Sequence, residues 1–200
     1  GTTWKEFIRT HMDVLVATDF FTAEVWTPKG LVTYYVLFFI KLATREVHLA
    51  GITPSPDETW MKQVARNLTM PDWGFLSGCR YLIHDRDSKF CEAFRQIVRS
   101  AGVKPLALPA HSPNLNAFAE RFVRTAKEEC VERFILFGER SLRHVFENFI
   151  DHYHEERNHQ GRENKIPSPT PEDRIGCAEG PISCRERLGG SLKFYSRRVA

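Results

Sequence analysis

Val14-Leu15-Val16-Ala17-Thr18-Asp19-Phe20-Phe21 is the stretch on which the fold turns. It is β-branched, aromatic and of strand length, yet an acid sits inside it. On a strand, Leu15, Ala17 and Asp19 share one face, so a carboxylate continues an apolar surface. Such a group is costly to bury unless it is paired or bound to a metal. Outward from this run, Pro28-Lys29-Gly30 signals a turn into a second apolar, β-rich run at 31–40. Ala43-Thr44-Arg45 makes a tight connection to a third strand at 46–52. Neighbouring strands joined so closely are antiparallel. On the other side, Trp4, Phe7, Ile8 and His11 have the spacing of a short lead-in helix.

Further on, Ser55 or Asp57 can cap a helix whose face carries Trp60, Met61, Val64, Ala65 and Leu68. Residues 80–85 read as a strand, 90–101 as a helix closed by Gly102, and 103–108 as another short strand. After a loop at 109–114, in which Ser112 or Asn114 can cap, a long helix is expected. Leu115, Phe118, Ala119, Phe122, Val123, Ala126, Val131 and Phe134 mark its buried face. A last helix spans 141–156, and 176–190 looks loose. The order is three strands, helix, strand, helix, strand, helix, a mixed α/β pattern.

The composition is that of a packed domain. Of 200 residues, 42% are hydrophobic and 26% charged, which excludes a disordered tail, a collagen-like fibre and a disulfide-dense miniprotein. The five cysteines form no C-x-x-C pair, and an odd number without framework spacing predicts a reducing, intracellular setting. The longest apolar run, around 31–42, is cut by Thr33 and Lys41, so no membrane span is expected. Lys5, Glu6, Arg9, His11 and Asp13 interrupt any signal-peptide pattern. A start at Gly1 without Met predicts an excised domain or a tag remnant. The net charge of +3 does not by itself demand nucleic acid, but residues 76–127 hold nine Lys and Arg against four Asp and Glu. That basic excess is either a phosphate-facing patch or a mixed solvated surface.

Two further acids sit where packing does not want them. Asp85 ends the strand residues Tyr81-Leu82-Ile83. Glu120 lies in the amphipathic helix, on one stripe with Asn116, Arg124 and Lys127. Taken singly, a strand-end Asp is a turn or cap residue and a helix Glu beside Arg121 and Arg124 is a solvated ion-pair partner. Taken together, two strand-end acids and a helix acid can converge. Three carboxylates with open positions suit hard cations such as Mg²⁺ or Mn²⁺, which in pairs promote phosphodiester displacement.

The motifs Ala17-Thr18-Asp19-Phe20, His84-Asp85-Arg86-Asp87-Ser88-Lys89-Phe90 and Ser112-Pro113-Asn114-Leu115-Asn116-Ala117-Phe118-Ala119-Glu120-Arg121-Phe122, with His152-Tyr153-His154-Glu155-Glu156-Arg157-Asn158-His159-Gln160-Gly161, resemble the catalytic core of bacterial insertion-sequence DDE transposases and retroviral integrases. The resemblance covers about residues 14–169. It implies an RNase H-like mixed five-stranded sheet, three strands antiparallel and two parallel, flanked by helices. It implies that Asp19, Asp85 and Glu120 are the catalytic, metal-binding acids, holding two Mg²⁺ or Mn²⁺ ions when DNA is bound. Between Asp85 and Glu120 lie 34 residues, one fewer than the family usually has, and Asp87 is the rival second acid. Arg124 and Lys127 match the family's DNA-contacting basic residues, with Arg121, Asn114 and Asn116 as further DNA-binding candidates. The implied activity is cutting DNA ends and joining the 3′-OH to target DNA. The implied assembly is a homodimer or larger, with no membrane and no nucleotide cofactor, in the bacterial cytoplasm at the nucleoid.

Other readings compete. A stand-alone nuclease on the same fold would cut without joining, and an inactive DNA-binding module would do neither. His152, His154 and His159 look like zinc ligands, but His154 and His159 are one residue too far apart for H-E-x-x-H. Ser88, Ser112 and Cys91 lack an ordered His–acid set, and no phosphate loop or dinucleotide fingerprint is present. The expected organisation is a lead-in helix at 1–13, the core at 14–169, and a tail of uncertain structure at 170–200.

Overall fold

The computed structural model describes residues 3–109, 116–156 and 182–197. The decisive run folds as β1, Leu15–Thr27. It pairs antiparallel with β2, Gly30–Lys41, which pairs antiparallel with β3, Val47–Thr53. On its other edge β1 pairs parallel with β4, Tyr81–His84, which pairs parallel with β5, Lys104–Ala107. The sheet order is β3-β2-β1-β4-β5, the mixed five-stranded sheet expected from the motifs. β1 runs six residues past Phe21 because Ala23 and Val25 stay buried while Thr22, Glu24 and Trp26 alternate outward. That alternation is a half-covered hairpin arm, turned at Gly30 with φ +108°.

Helices cover both faces. α1 is Trp4–His11, opened by a reciprocal cap in which Glu6 N–H donates to Thr3 Oγ1 and Thr3 N–H to Glu6 Oε2. α2 is Glu58–Leu68, and Asp57 rather than Ser55 is its cap, accepting from Trp60 N–H at 2.8 Å. α3 is Glu92–Ser100, α4 is Ala117–Glu129 and α5 is Gly138–Glu155. The pleat of β1 divides the core between the two layers. Val16 packs with Met61, Phe94 and Val98 under α2 and α3. Leu15, Ala17, Phe21 and Ile83 pack with Phe122, Phe146 and Phe149 under α4 and α5.

Two expectations are corrected. Val131 and Phe134 do not extend α4, because the backbone leaves the helical region at the fully buried Cys130 and residues Val131–Arg133 form a separate 3₁₀ turn. Both side chains still pack against the core from that turn and its exit. The segment read as loose contains order too: β6, Ile182–Arg187, and β7, Leu192–Arg197, form an antiparallel hairpin. Gly189 and Gly190 supply positive φ at its turn. Leu192 enters the core, and Arg185 and Arg187 reach Glu156 at the end of α5. The expected boundary near 169 lies outside the described residues.

Candidate active site

Sheet register brings the two aspartates together. Ala17 and Ile83 are partners across the parallel β1–β4 pair. Asp19 and Asp85 each lie two residues further on, so one pleat period carries both to the same face at the same level. That face is the one under α4, since Ala17, Phe21 and Ile83 belong to the α4–α5 core. Asn116, just before α4, donates from Nδ2 to the Thr18 carbonyl at 3.2 Å. Glu120 is one helical turn beyond that anchor, which sets it over the same end of β1.

The electrostatics of Asp19 involves the same acids. The Asp19 carboxyl is pushed up to about 6, first by burial and then by the negative charges of Asp85, Glu120 and Asp87; its hydrogen bond from Phe20 N–H pulls the other way. Glu120 has no ion pair among the described residues, so it is not the solvated partner of Arg121 or Arg124 that a lone helix Glu suggests.

The two aspartates after β4 are not equivalent. Asp87 accepts from Lys89 N–H at 2.9 Å and pairs with Lys89 Nζ at 2.7 Å, so both its oxygens are engaged. Among the described residues Asp85 accepts only the Asp87 amide, at 3.0 Å. Lys89 also lies over the rings of Phe20 and Tyr35. Arg86 donates from Nε to the Leu108 carbonyl at 2.8 Å, which ties the turn to the end of β5.

His84 is a residue that pattern reading passes over. It is 1% exposed, and its Nδ1 lies 2.6 Å from the carbonyl oxygen of Asp85. A carbonyl only accepts, so Nδ1 carries the proton. Burial pushes the imidazole's pKa down, which keeps the ring neutral. It thus clamps the backbone that aims Asp85. Its only sequence signal is a histidine at a buried strand position directly before the acid.

The DNA-facing candidates divide. Arg121 and Arg124 are exposed on α4, Lys127 is half-buried, and none has an ion pair among the described residues. Asn116 is 5% exposed and bonded to the Thr18 carbonyl, which seats it between α4 and β1. Asn114 lies outside the described residues. Of the histidines considered for zinc, His152 pairs with Glu156 at 2.6 Å and His154 Nε2 accepts from Val47 N–H at 2.8 Å, so they serve different partners. His159 lies outside the described residues.

The donor chemistry fits a hard divalent cation. Asp19, Asp85 and Glu120 are hard oxygen donors of the kind such a cation takes, and both burial and the neighbouring negative charge that raise Asp19 are what a cation offsets. Among the described residues no group of three or more His, Cys, Asp or Glu side chains is close enough together to hold a metal ion.

A mixed sheet in this strand order, covered by helices on both faces, is the RNase H-like fold of integrase and transposase catalytic cores. The catalytic core domain of BIV integrase superposes with a TM-score of 0.51 at 13% identity, over 78% of this chain and 91% of that one. The catalytic core domain of HTLV-2 integrase, solved as a dimeric form in complex with magnesium, gives 0.57 at 10% identity over 78% and 93%. The catalytic domain of the Mos1 mariner transposase gives 0.57 at 12% over 74% of each chain. Residues 101–167, which include Glu120 and the α4 basic residues, match the family model for the integrase core domain. Fold and family match together bear out the resemblance carried by the motifs. No curated sequence matches the chain.

Proposed function

We propose that this chain is the catalytic core of a divalent-metal-dependent polynucleotidyl transferase, which cuts DNA ends and joins the freed 3′-OH to target DNA. The observation that supports the reading is the register pair Ala17–Ile83 on adjacent parallel strands, with Asp19 two residues further along β1 and Asp85 just past the end of β4. Mg²⁺ or Mn²⁺ held by these three acids supplies Lewis-acid stabilisation of an in-line phosphoryl displacement. Asp85 is preferred over Asp87 because Lys89 already neutralises Asp87.

The remaining residues position the acids and the DNA. Asn116 fixes the first turn of α4 on β1, and His84 fixes the turn after β4. Arg124 and Lys127, one and two turns beyond Glu120, hold phosphates beside the acids; Arg121 adds charge on the neighbouring flank. Two DNA ends must be joined to one target, so the working form is a homodimer or larger.

The test is a plasmid reaction with a short duplex bearing free 3′-OH ends, in Mn²⁺ or Mg²⁺. Joined oligonucleotide–plasmid products that disappear in Asp19→Asn and Glu120→Gln support the transferase. Nicking without joining supports a nuclease on the same fold. Binding with neither product supports an inactive DNA-binding module.

A further inference from the structure

The parallel strands β4 and β5 end at one edge of the sheet, the kind of edge at which open α/β sheets receive ligands. A crevice of about 360 Å³ opens there, between the turn after β4 and the start of α3. Asp85 borders it, and Cys91 and Arg95 of the α3 side face it. The charges around it are not equally spent. Arg95 pairs with Glu92 at 2.9 Å, and Asp87 pairs with Lys89 at 2.7 Å. Arg86 stands between two aspartates in the chain and pairs with neither. Its Nε donates to the Leu108 carbonyl at 2.8 Å, and its two terminal amino groups meet no acceptor among the described residues. The side chain is exposed and lines the crevice. A guanidinium held by Nε keeps the rest of its planar fork in a fixed direction, and that fork matches the oxygens of a phosphate. Ser88, also exposed and lining the crevice, adds a hydroxyl with no hydrogen bond among the described residues.

We propose that Arg86 is a phosphate-binding residue: it holds a backbone phosphate of the DNA one or two nucleotides from the phosphate displaced at the acids, on the α3 side of the sheet. Asp85 and Arg86 are consecutive, and a strand of duplex DNA carries one phosphate per about 3.4 Å of its axis, so the two residues reach neighbouring phosphates. The inference rests on the reading of the acids as a DNA strand-transfer site. It adds a contact on the side away from α4, so the strand crosses the end of β4 between Arg86 and the α4 residues Arg124 and Lys127. Asp87 does not repel the phosphate, because Lys89 already neutralises it.

The test is equilibrium binding of a labelled short duplex with 3′-deoxy ends, which cannot be joined, to the full chain in Mg²⁺ over a series of salt concentrations. Arg86→Gln is expected to weaken binding about fivefold or more and to lower the slope of log affinity against log salt by about 0.9. Arg66→Gln, exposed in the last turn of α2 and outside the crevice, is expected to leave the slope at the wild-type value. Arg86→Gln is also expected not to weaken Mn²⁺ binding, since Arg86 offers no oxygen to a cation. An unchanged slope in Arg86→Gln, or an equal fall in Arg66→Gln, overturns the proposal. So does a fall accompanied by lost Mn²⁺ affinity, which would make Arg86 a brace for the Asp85 turn. The wild type keeps the two readings apart. If it binds no duplex, the strand-transfer reading and this contact fall together. If it binds duplex and joins free 3′-OH ends while the Arg86→Gln slope stays at the wild-type value, only this contact falls.

Discussion

Asp19 concentrates the chemistry of the molecule in one side chain. Its pKa of about 6 stands above the ordinary 3.8 because burial and three neighbouring carboxylates oppose its charge. A folded-state pKa above the unfolded one means that stability is fully present below about 3.8 and is lost as pH rises through about 6. In chelator at pH 7.5, Asp19→Asn is therefore expected to stabilise the fold by on the order of 1–3 kcal/mol, and near pH 4 to change little. Thermal melts at the two pH values check this. A destabilised Asn variant at pH 7.5 would mean that the other acids do not face Asp19. His84 makes a second test at this scale. Its Nδ1–H holds the Asp85 carbonyl, so His84→Ala is expected to weaken Mn²⁺ binding about tenfold. His84→Asn, which keeps a donor, should recover part of it. Loss of folding in both, or no change in affinity, would remove the positioning role.

At the scale of elements, carboxylates near the end of α5 hold the β6–β7 hairpin, Asp151 and Glu155 through Arg187 and, most deeply buried, Glu156. The Glu156 side chain is fully buried and accepts from His152 at 2.6 Å, Arg187 at 3.1 Å and Arg185 at 3.4 Å. Burial pushes its pKa up, but His152 and Arg187 outweigh that and hold it below the usual carboxylate value. A depressed pKa gives stability that is present above the unfolded value and lost as pH falls through the folded one. The hairpin is thus expected to loosen in acid and stay docked at neutral pH. Arg187→Met should cost about 2–3 kcal/mol, because it leaves a buried charge short of its partners. Proteolysis between β6 and β7 should accelerate in that variant well before the sheet core opens; cleavage at the wild-type rate would show that Arg187 does not hold the hairpin.

The same scale shows what the amino-acid sequence discloses. The β1 and β4 segments are legible because β-branched and aromatic runs end at turn residues, and Asp57 and Gly102 announce helix ends by their chemistry. The continuation of β1 past Phe21 was not, since Thr22–Thr27 alternates weakly and needs β2 as a partner to become a strand. The hairpin at 182–197 was missed for a related reason. Its inward positions are Arg185 and Arg187, which read as solvent-facing charges until Glu156 is in place. Cys130 ends α4 through tertiary packing, which no local propensity reveals.

For the whole molecule, residues distant in sequence meet through register and helix seating. Asp19, Asp85 and Glu120 were legible as misplaced acids, and the resemblance to integrase cores gave them a shared role. What seats them near one another is the parallel pairing of β1 with β4 and the Asn116 anchor, neither of which is written locally. The fold is shared with integrases and a mariner transposase at 10–13% identity, so fold alone does not decide between strand transfer, nuclease activity and DNA binding. Metal binding by the acids separates an enzyme from an inactive module, and joined products separate transfer from cutting; the acids come first. Calorimetric titration of Mn²⁺ into the wild type and into Asp19→Asn, Asp85→Asn, Glu120→Gln and Asp87→Asn tests them together. The expected result is saturable binding by the wild type and by Asp87→Asn, with affinity lost in the other three. Equal behaviour of all five proteins, or loss in Asp87→Asn with Asp85→Asn unaffected, would contradict the site.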